Sequence, residues 1–338
     1  MSLQTTLFTA VALAVAATTA LYFAVVPSAT ATLGSLETIA ESSDSRNESA
    51  RKRIAKLYPK NSGAFTDGKA TFYTISGPSA GRKLVLIHGI SGTWATMPQV
   101  VSSLAANGFN VLTYDIYGRG YSAAPGIKYS GDDYARQLHD LMEHIGWKKA
   151  SVMGYSLGGG VAATFADSHS DKVDDLLFVA PAGLMRDLPP AAKFLSTTIL
   201  GSLISYTVGR RMISKRSRGN HNPIYINQPH MQLFCDVQDL NILLHPGFLR
   251  AYIATGLNGP VRNMDSVYAR LGTKFGSRIF CLWGRHDTVC NFKEQALLFK
   301  SLVPQATFVE VDSGHYVFPD TCEKVLEPAV EFLNCRLA

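Results

Sequence analysis

The stretch Val152–Gly160 constrains this chain more than any other. It reads Val-Met-Gly-Tyr-Ser-Leu-Gly-Gly-Gly, and Gly154-Tyr155-Ser156-Leu157-Gly158 fits the pattern G-x-S-x-G. A strand-like run, Ala150-Ser151-Val152-Met153, precedes it, and Leu157–Ala166, rich in small residues, reads as a helix behind it. The pattern describes a sharp turn from a buried strand into a helix. Side chains at 154 or 158 would collide with the neighbouring strand or helix, and Ser156 is expected to hold a strained backbone conformation. The strain lifts the hydroxyl out of the sheet, at a helix N-terminus whose N–H groups face an arriving oxyanion. The plainer reading of the same residues is a glycine-rich turn with an incidental serine; the strand before and the helix after weigh against it.

Such a turn needs a sheet covered on both faces, and the remaining sequence supplies one. The chain has 338 residues, 46% of them hydrophobic. That suits one large α/β domain with an insertion. Ala70–Ile75 alternates and reads as an early antiparallel strand. Continuous apolar runs at 83–87, 110–114, 175–179, 278–283 and 307–311 read as strands buried on both faces. Met97–Ala106, Gly131–Ile145, Phe292–Leu302 and Cys322–Leu333 read as helices; Tyr134, Leu138, Leu141, Met142 and Ile145 recur at helical spacing in the second of these. Strands alternating with helices imply a mostly parallel central sheet flanked by helices. The rhythm breaks across residues 184–274, which read as a mainly helical cap inserted after the sixth core strand. The expected division is therefore residues 1–30 as anchor or signal, 31–62 as a polar linker, 63–183 and 275–338 as the two parts of the core, and 184–274 as the cap.

Leu7–Val26 is a run of twenty residues without charge, long enough to cross a bilayer as a helix. No basic residue precedes it, which departs from a signal peptide. Arg46, Arg51, Lys52, Arg53, Lys56 and Lys60 follow it, mostly beyond the range over which flanking charge orients a span. The expectation is a single-pass N-terminal membrane anchor. A signal removed at Ala29-Thr30-Ala31, leaving a secreted protein, and a buried helix are the alternatives. Asn47-Glu48-Ser49 is a glycosylation sequon, relevant only to a luminal or extracellular domain. The net charge of +6 suits a membrane surface, and the absence of a recognition motif argues against a nucleic-acid partner. Cys235, Cys281, Cys290, Cys322 and Cys335 contain no C-x-x-C pair, so neither a zinc site nor a thioredoxin-type motif is read from them.

A serine nucleophile needs a base, and the base needs an orienting acid. His315, in Asp312-Ser313-Gly314-His315-Tyr316, follows the last strand. Asp287, in Gly284-Arg285-His286-Asp287-Thr288-Val289, follows the strand before it. Loops at the carboxyl ends of parallel strands meet in the crevice where open α/β sheets hold ligands. Taken singly, His315 and Asp287 would be ordinary loop residues; their order with Ser156 gives the assignment its force. Candidate oxyanion donors are the N–H groups of Leu157 and Ile90, the latter in His88-Gly89-Ile90-Ser91-Gly92, with Ser91 second. His88 is expected to hold that loop by hydrogen bonds, and His286 to be structural or to line the pocket.

His88-Gly89, Asp115-Ile116-Tyr117-Gly118-Arg119-Gly120-Tyr121-Ser122, Gly154–Gly158, the Asp287 loop and Gly314-His315 together resemble the successive motifs of the α/β-hydrolase superfamily. The resemblance covers about Ala70–Leu333 apart from the cap. It implies the α/β-hydrolase fold, with Ser156 as nucleophile, Asp287 as acid, His315 as base, and the Asp115–Ser122 segment bracing the active-site loops. Ala180-Pro181-Ala182-Gly183-Leu184 is similar to the membrane-anchored monoacylglycerol lipase branch, and also to C–C bond hydrolases of aromatic-ring degradation. A serine at 156 argues against dehalogenase and epoxide hydrolase chemistry, which use aspartate.

Leu195, Ile199 and Leu203, with Leu200, Ile204 and Val208, form an apolar helical stripe followed by Arg210, Arg211, Lys215, Arg216 and Arg218. That pattern is either cap core with a solvated end or a lid that meets lipid headgroups. The expected substrate is a lipid or other apolar ester, cleaved through an acyl-enzyme on Ser156. C–C hydrolysis, a small ester or thioester, and a non-catalytic scaffold are the alternatives. The chemistry calls for no cofactor and no metal.

Overall fold

The computed structural model describes residues 3–28, 30–58, 62–66, 70–188, 190–219 and 229–335; side chains are described except at 3–13, 191–192, 229–230 and 319–325. The N-terminal part contains α1 (Leu3–Val25), α2 (Leu36–Ala40) and α3 (Glu48–Leu57). The core then runs β1 (Ala64–Phe65), β2 (Phe72–Ser76), β3 (Arg82–Ile87), α4 (Pro98–Ala106), β4 (Phe109–Tyr114), α5 (Gly131–His144), β5 (Ala150–Tyr155), α6 (Leu157–Ser168) and β6 (Val173–Val179). Between β6 and β7 lie α7 (Pro190–Thr197), α8 (Ile199–Ile204), α9 (Arg210–Gly219), α10 (Pro229–Leu244), α11 (Phe248–Asn258) and α12 (Asp265–Phe275). The chain closes with β7 (Ile279–Gly284), α13 (Leu297–Leu302), β8 (Thr307–Val311) and α14 (Val317–Asn334).

The strands form one eight-stranded sheet in the order β1-β2-β4-β3-β5-β6-β7-β8. β1 and β2 are antiparallel to their neighbours, and the strands from β4 to β8 are parallel. Every residue of β4, β5 and β7 is buried. That is why these strands read as unbroken apolar runs: helices cover both faces and leave no polar side. α4 packs with α14, while α5, α6, α12 and α13 pack in series. The α5 start is legible locally, because Ser130 Oγ accepts from Asp133 N–H and Asp133 returns the bond to Ser130 N–H. Such a cap is worth about 1 kcal/mol.

Register decides where function can sit. Ile87 pairs with Gly154, Tyr155 with Val179, Val179 with Leu282, and Gly284 with Val311. The carboxyl ends of β3, β5, β6, β7 and β8 are therefore level. The loops that leave them open along one rim of the sheet.

The expectation of a polar linker at 31–62 is corrected by the structure. α2 and α3 fold back onto the core, where Leu36, Ile54 and Tyr58 are buried with Phe72, Tyr121, Val237 and Leu240. Leu33 bridges to Ala124. Tyr58 and Tyr121 meet edge to face at 4.5 Å, and Phe72 and Tyr121 at 5.2 Å; such pairs add about 0.5–1.5 kcal/mol beyond area burial. The few apolar residues that make this contact are diluted by charge along the sequence, so composition conceals them.

α1 continues through the apolar run, and its side chains at Val15, Leu21 and Phe23 are exposed. Among the described residues no helix is long and apolar enough to cross a membrane. Ala29 of the expected cleavage site and Lys60 lie outside the described residues.

Candidate active site

Ser156 lies between β5 and α6 with φ 53° and ψ −118°. A non-glycine residue in this region carries backbone strain of about 1–3 kcal/mol. Three bonds fix it, from Ser156 N–H to Val179 O at 3.0 Å and to Ser156 O from Gly159 N–H at 2.9 Å and Ala182 N–H at 2.8 Å. The flanking glycines are sterically required. A Cβ on Gly154 would stand 2.2 Å from Gly158 O, and one on Gly158 would stand 2.2 Å from Ile87 O. The turn therefore closes only if helix and strand backbones approach closely, as the sequence pattern requires.

His315 and Asp287 come to the same rim. His315 Nε2 lies 3.0 Å from Ser156 Oγ, and His315 Nδ1 lies 2.8 Å from Asp287 Oδ2. The other carboxylate oxygen, Oδ1, accepts from the N–H groups of Val289 and Cys290, each at 2.8 Å. With Oδ1 so occupied, Oδ2 is left to accept from the ring Nδ1–H, which directs the Nε2 lone pair at the Ser156 hydroxyl. Asp287 is buried, while Ser156 and His315 retain 7% and 8% exposure. The hydroxyl and imidazole thus keep a small exposed face while the carboxylate lies behind them.

The loop after β3 runs beside the serine: a Cβ on Gly89 would stand 3.4 Å from Ser156 Cβ. Ile90 is half-buried there, and its carbonyl accepts from Arg119 Nε at 3.0 Å. Leu157 is the first residue of α6, a position whose N–H has no acceptor within the helix. His88 is fully buried. Ile116 N–H donates to its Nε2 at 3.1 Å, so Nδ1 carries the ring proton and donates to Gly89 O at 2.8 Å. Burial pushes this imidazole down to about 3, against the opposing effect of the Gly89 bond. It stays neutral and braces the loop, as the sequence reading expects.

The 115–122 segment ties the loop after β3 to α5, α10 and α11. Asp115 accepts from Trp94 N–H and Tyr121 N–H, each at 2.9 Å, and burial raises it to about 8 in spite of those bonds. Arg119 is wholly buried, donating also to Tyr117 O, Tyr134 Oη and Thr255 Oγ1. Asn241 on α10 accepts from Gly120 N–H and donates to Ser91 O, which joins the cap to the same loops.

His286 is corrected in one respect. Its side chain is exposed and pairs with Asp312 at 2.8 Å, so it links the Asp287 and His315 loops from outside and does not line the pocket. The basic end of the cap stripe is corrected too. Arg210 donates to the carbonyls of Ile242, His245 and Pro246, and Arg218, though exposed, pairs with Asp239; Arg211, Lys215 and Arg216 are exposed as well.

Tyr155 and Tyr316 are neighbours of the site that escape sequence reasoning. Tyr155 stacks on the His315 ring, and Tyr316 OH meets Ser217 Oγ of α9 at 3.0 Å. Their positions beside Ser156 and His315 were the only available signal.

This topology and this rim define a class, and residues 83–321 match the description of the alpha/beta hydrolase fold. The chain belongs to that family. It is similar to an uncharacterised protein of Mycobacterium tuberculosis, 36% identical over 109 residues, a match that spans 32% of each chain. It is also similar to Lipase 3 of Moraxella sp., 24% identical over 260 residues, covering 73% of this chain and 76% of that one. Among solved structures, the enol-lactonase of Burkholderia xenovorans shares the fold with a TM-score of 0.66 at 18% identity, over 80% of this chain and 99% of that one.

Proposed function

We propose that this protein is a serine hydrolase that cleaves carboxylic esters of lipids, of monoacylglycerol type, through an acyl-enzyme on Ser156. The observation that carries the reading is the unbroken chain from Ser156 Oγ through His315 to Asp287. His315 Nε2 takes the hydroxyl proton as Ser156 attacks the ester carbonyl. Asp287 stabilises the imidazolium through Nδ1–H. The N–H groups of Leu157 and Ile90 receive the oxyanion. The alcohol leaves with the proton from His315, and water repeats the sequence to release the acid.

The apolar leaning of the substrate rests on a second observation. Of the twelve large apolar side chains exposed among the described residues, nine lie on α1 or on the cap from α7 to α9, among them Phe23, Ile199, Leu200 and Met212; Ile75, Leu233 and Leu297 lie elsewhere. α1 packs against α8, so the two sets adjoin. With Arg211, Lys215 and Arg216 nearby, the surface suits attachment to an anionic lipid bilayer. Hydrolysis of a C–C bond in a small water-soluble diketone would use the same three side chains and gain nothing from such a surface.

Ser156→Ala is expected to abolish both fluorophosphonate labelling and turnover of a long-chain monoacylglycerol. A wild-type protein that neither labels nor turns over such an ester overturns the reading.

A further inference from the structure

Cys290 sits in the turn after β7, three residues beyond Asp287. Both sides of its backbone are pinned: its N–H donates to Asp287 Oδ1 at 2.8 Å, and its carbonyl accepts from Trp283 Nε1 at 2.9 Å. The residue is 2% exposed. The ligand atoms that Asp287, Cys290 and His315 can offer all lie within 4.8 Å of one another, and all three residues are buried. The hydrolytic scheme uses the imidazole and the carboxylate but gives the sulfur no step.

One sulfur, one imidazole nitrogen and one carboxylate oxygen are a donor mix that zinc accepts in tetrahedral geometry. Calcium and magnesium require larger sets of oxygen atoms, so this cluster discriminates against them. Ligand atoms around tetrahedral zinc, with bonds of about 2.0–2.3 Å, stand roughly 3.3–3.8 Å apart. Seating zinc requires the most distant donors to close by ~1 Å and the Asp287–His315 hydrogen bond, 2.8 Å long, to open by about 0.5 Å where the ion takes Nδ1 and Oδ2. Ser156 and His315, at 7% and 8%, are the least buried residues around the cluster, so an ion or a water would approach from their side.

We propose that Asp287, Cys290 and His315 form a binding site for a thiophilic divalent cation of the zinc class, and that its occupation switches Ser156 off. Binding converts the thiol to a thiolate, and the displaced proton goes to bulk water; nothing is oxidised or reduced. Whichever ring nitrogen binds, Ser156 loses its base. Bound through Nε2, the lone pair is taken. Bound through Nδ1, the ring proton moves to Nε2 and faces the hydroxyl as a donor. The inhibitory half of the proposal rests on the proposed role of Ser156; the binding half does not.

Cobalt(II) is the probe that separates the two. The full chain carrying Cys322→Ala and Cys335→Ala, which removes two other thiols, is titrated with cobalt and its absorption recorded. A thiolate-to-cobalt band in the near ultraviolet, lost in the further variant Cys290→Ala, is expected. Cys290→Ser, closer in volume, takes its place if the alanine variant unfolds. The zinc concentration that half-inhibits hydrolysis of a soluble p-nitrophenyl ester is expected to rise roughly 100-fold in that variant, with inhibition reversed by EDTA. Absence of the band in the parent, or its persistence without Cys290, overturns the site. A band accompanied by undiminished ester hydrolysis overturns the switch and leaves the site standing. A band in a protein that hydrolyses no ester overturns the functional reading instead.

Discussion

The Tyr155 hydroxyl donates to the backbone carbonyl of His315 at 3.0 Å, while the Tyr155 ring lies over the imidazole with centroids 5.6 Å apart and planes inclined at 28°. One side chain thus fixes both the main chain and the ring face of the residue that must accept the Ser156 proton. Phe318 packs edge to face with Tyr155, with centroids 5.2 Å apart. Tyr155→Phe keeps the stacking and removes the hydrogen bond, a loss of about 1 kcal/mol. If that loss falls on the transition state, kcat drops about five-fold with KM unchanged. Steady-state kinetics on a soluble ester provide the check, and an unaltered kcat would show that the ring alone does the positioning.

Backbone strain at Ser156 can be read as stability. Glycine adopts φ 53° without the penalty that a Cβ incurs. Ser156→Gly is therefore expected to be more stable than Ser156→Ala by about 1 kcal/mol, the relieved strain exceeding glycine's extra unfolded-state entropy. Neither variant should turn over substrate. Urea unfolding of the pair measures the difference, and equal stability would mean that the turn is not strained.

Ile54 lies in a segment whose sequence reads as a spacer, yet it is fully buried against the core. Ile54→Ala is expected to cost about 2–4 kcal/mol. A residue in a true spacer would change stability by less than about 0.5 kcal/mol. The midpoint of chemical unfolding distinguishes these outcomes.

Two buried imidazoles set the acid side of the stability profile. Burial pushes His88 and His245 down to about 3 from the usual 6.5. Between those values the unfolded chain binds protons that the folded chain refuses. Stability therefore falls as pH drops from about 6.5 toward 3, by on the order of 1 kcal/mol per pH unit for each ring. Asp115, raised to about 8 from 3.8, acts in the opposite sense between those limits, because there the folded chain holds the extra proton. It cancels one imidazole down to pH 3.8 and ceases to oppose them below it. His245→Gln should flatten the acid slope by one proton. Unfolding free energies at a series of pH values from 6.5 downward give the slope, and equal slopes would refute the assignment.

Much of the core was legible because its signals are local. Glycines at 154 and 158 announce the turn, continuous apolar runs announce doubly covered strands, and the helical spacing of Tyr134, Leu138, Leu141 and Met142 announces α5. The order of Ser156, Asp287 and His315, each just beyond a strand, pointed to a common rim. What stayed hidden depends on partners distant in sequence. α2 and α3 bury Leu36, Ile54 and Tyr58 against residues as far away as Leu240. Arg210 and Arg218 look like part of a solvated basic run, but distant carbonyls and a carboxylate claim them.

The sequence by itself determined which strands alternate with which helices, where the sharp turn falls, and which hydroxyl, imidazole and carboxylate could meet. Those features follow from the steric demands of single residues and from hydrophobic period, both written within a few positions. Only the tertiary structure decided that Cys290 and Tyr155 flank the His315 imidazole, that His286 faces outward, and that residues 33–58 belong to the folded body. Each of those outcomes depends on parallel register and helix packing, which bring together side chains that no local spacing relates.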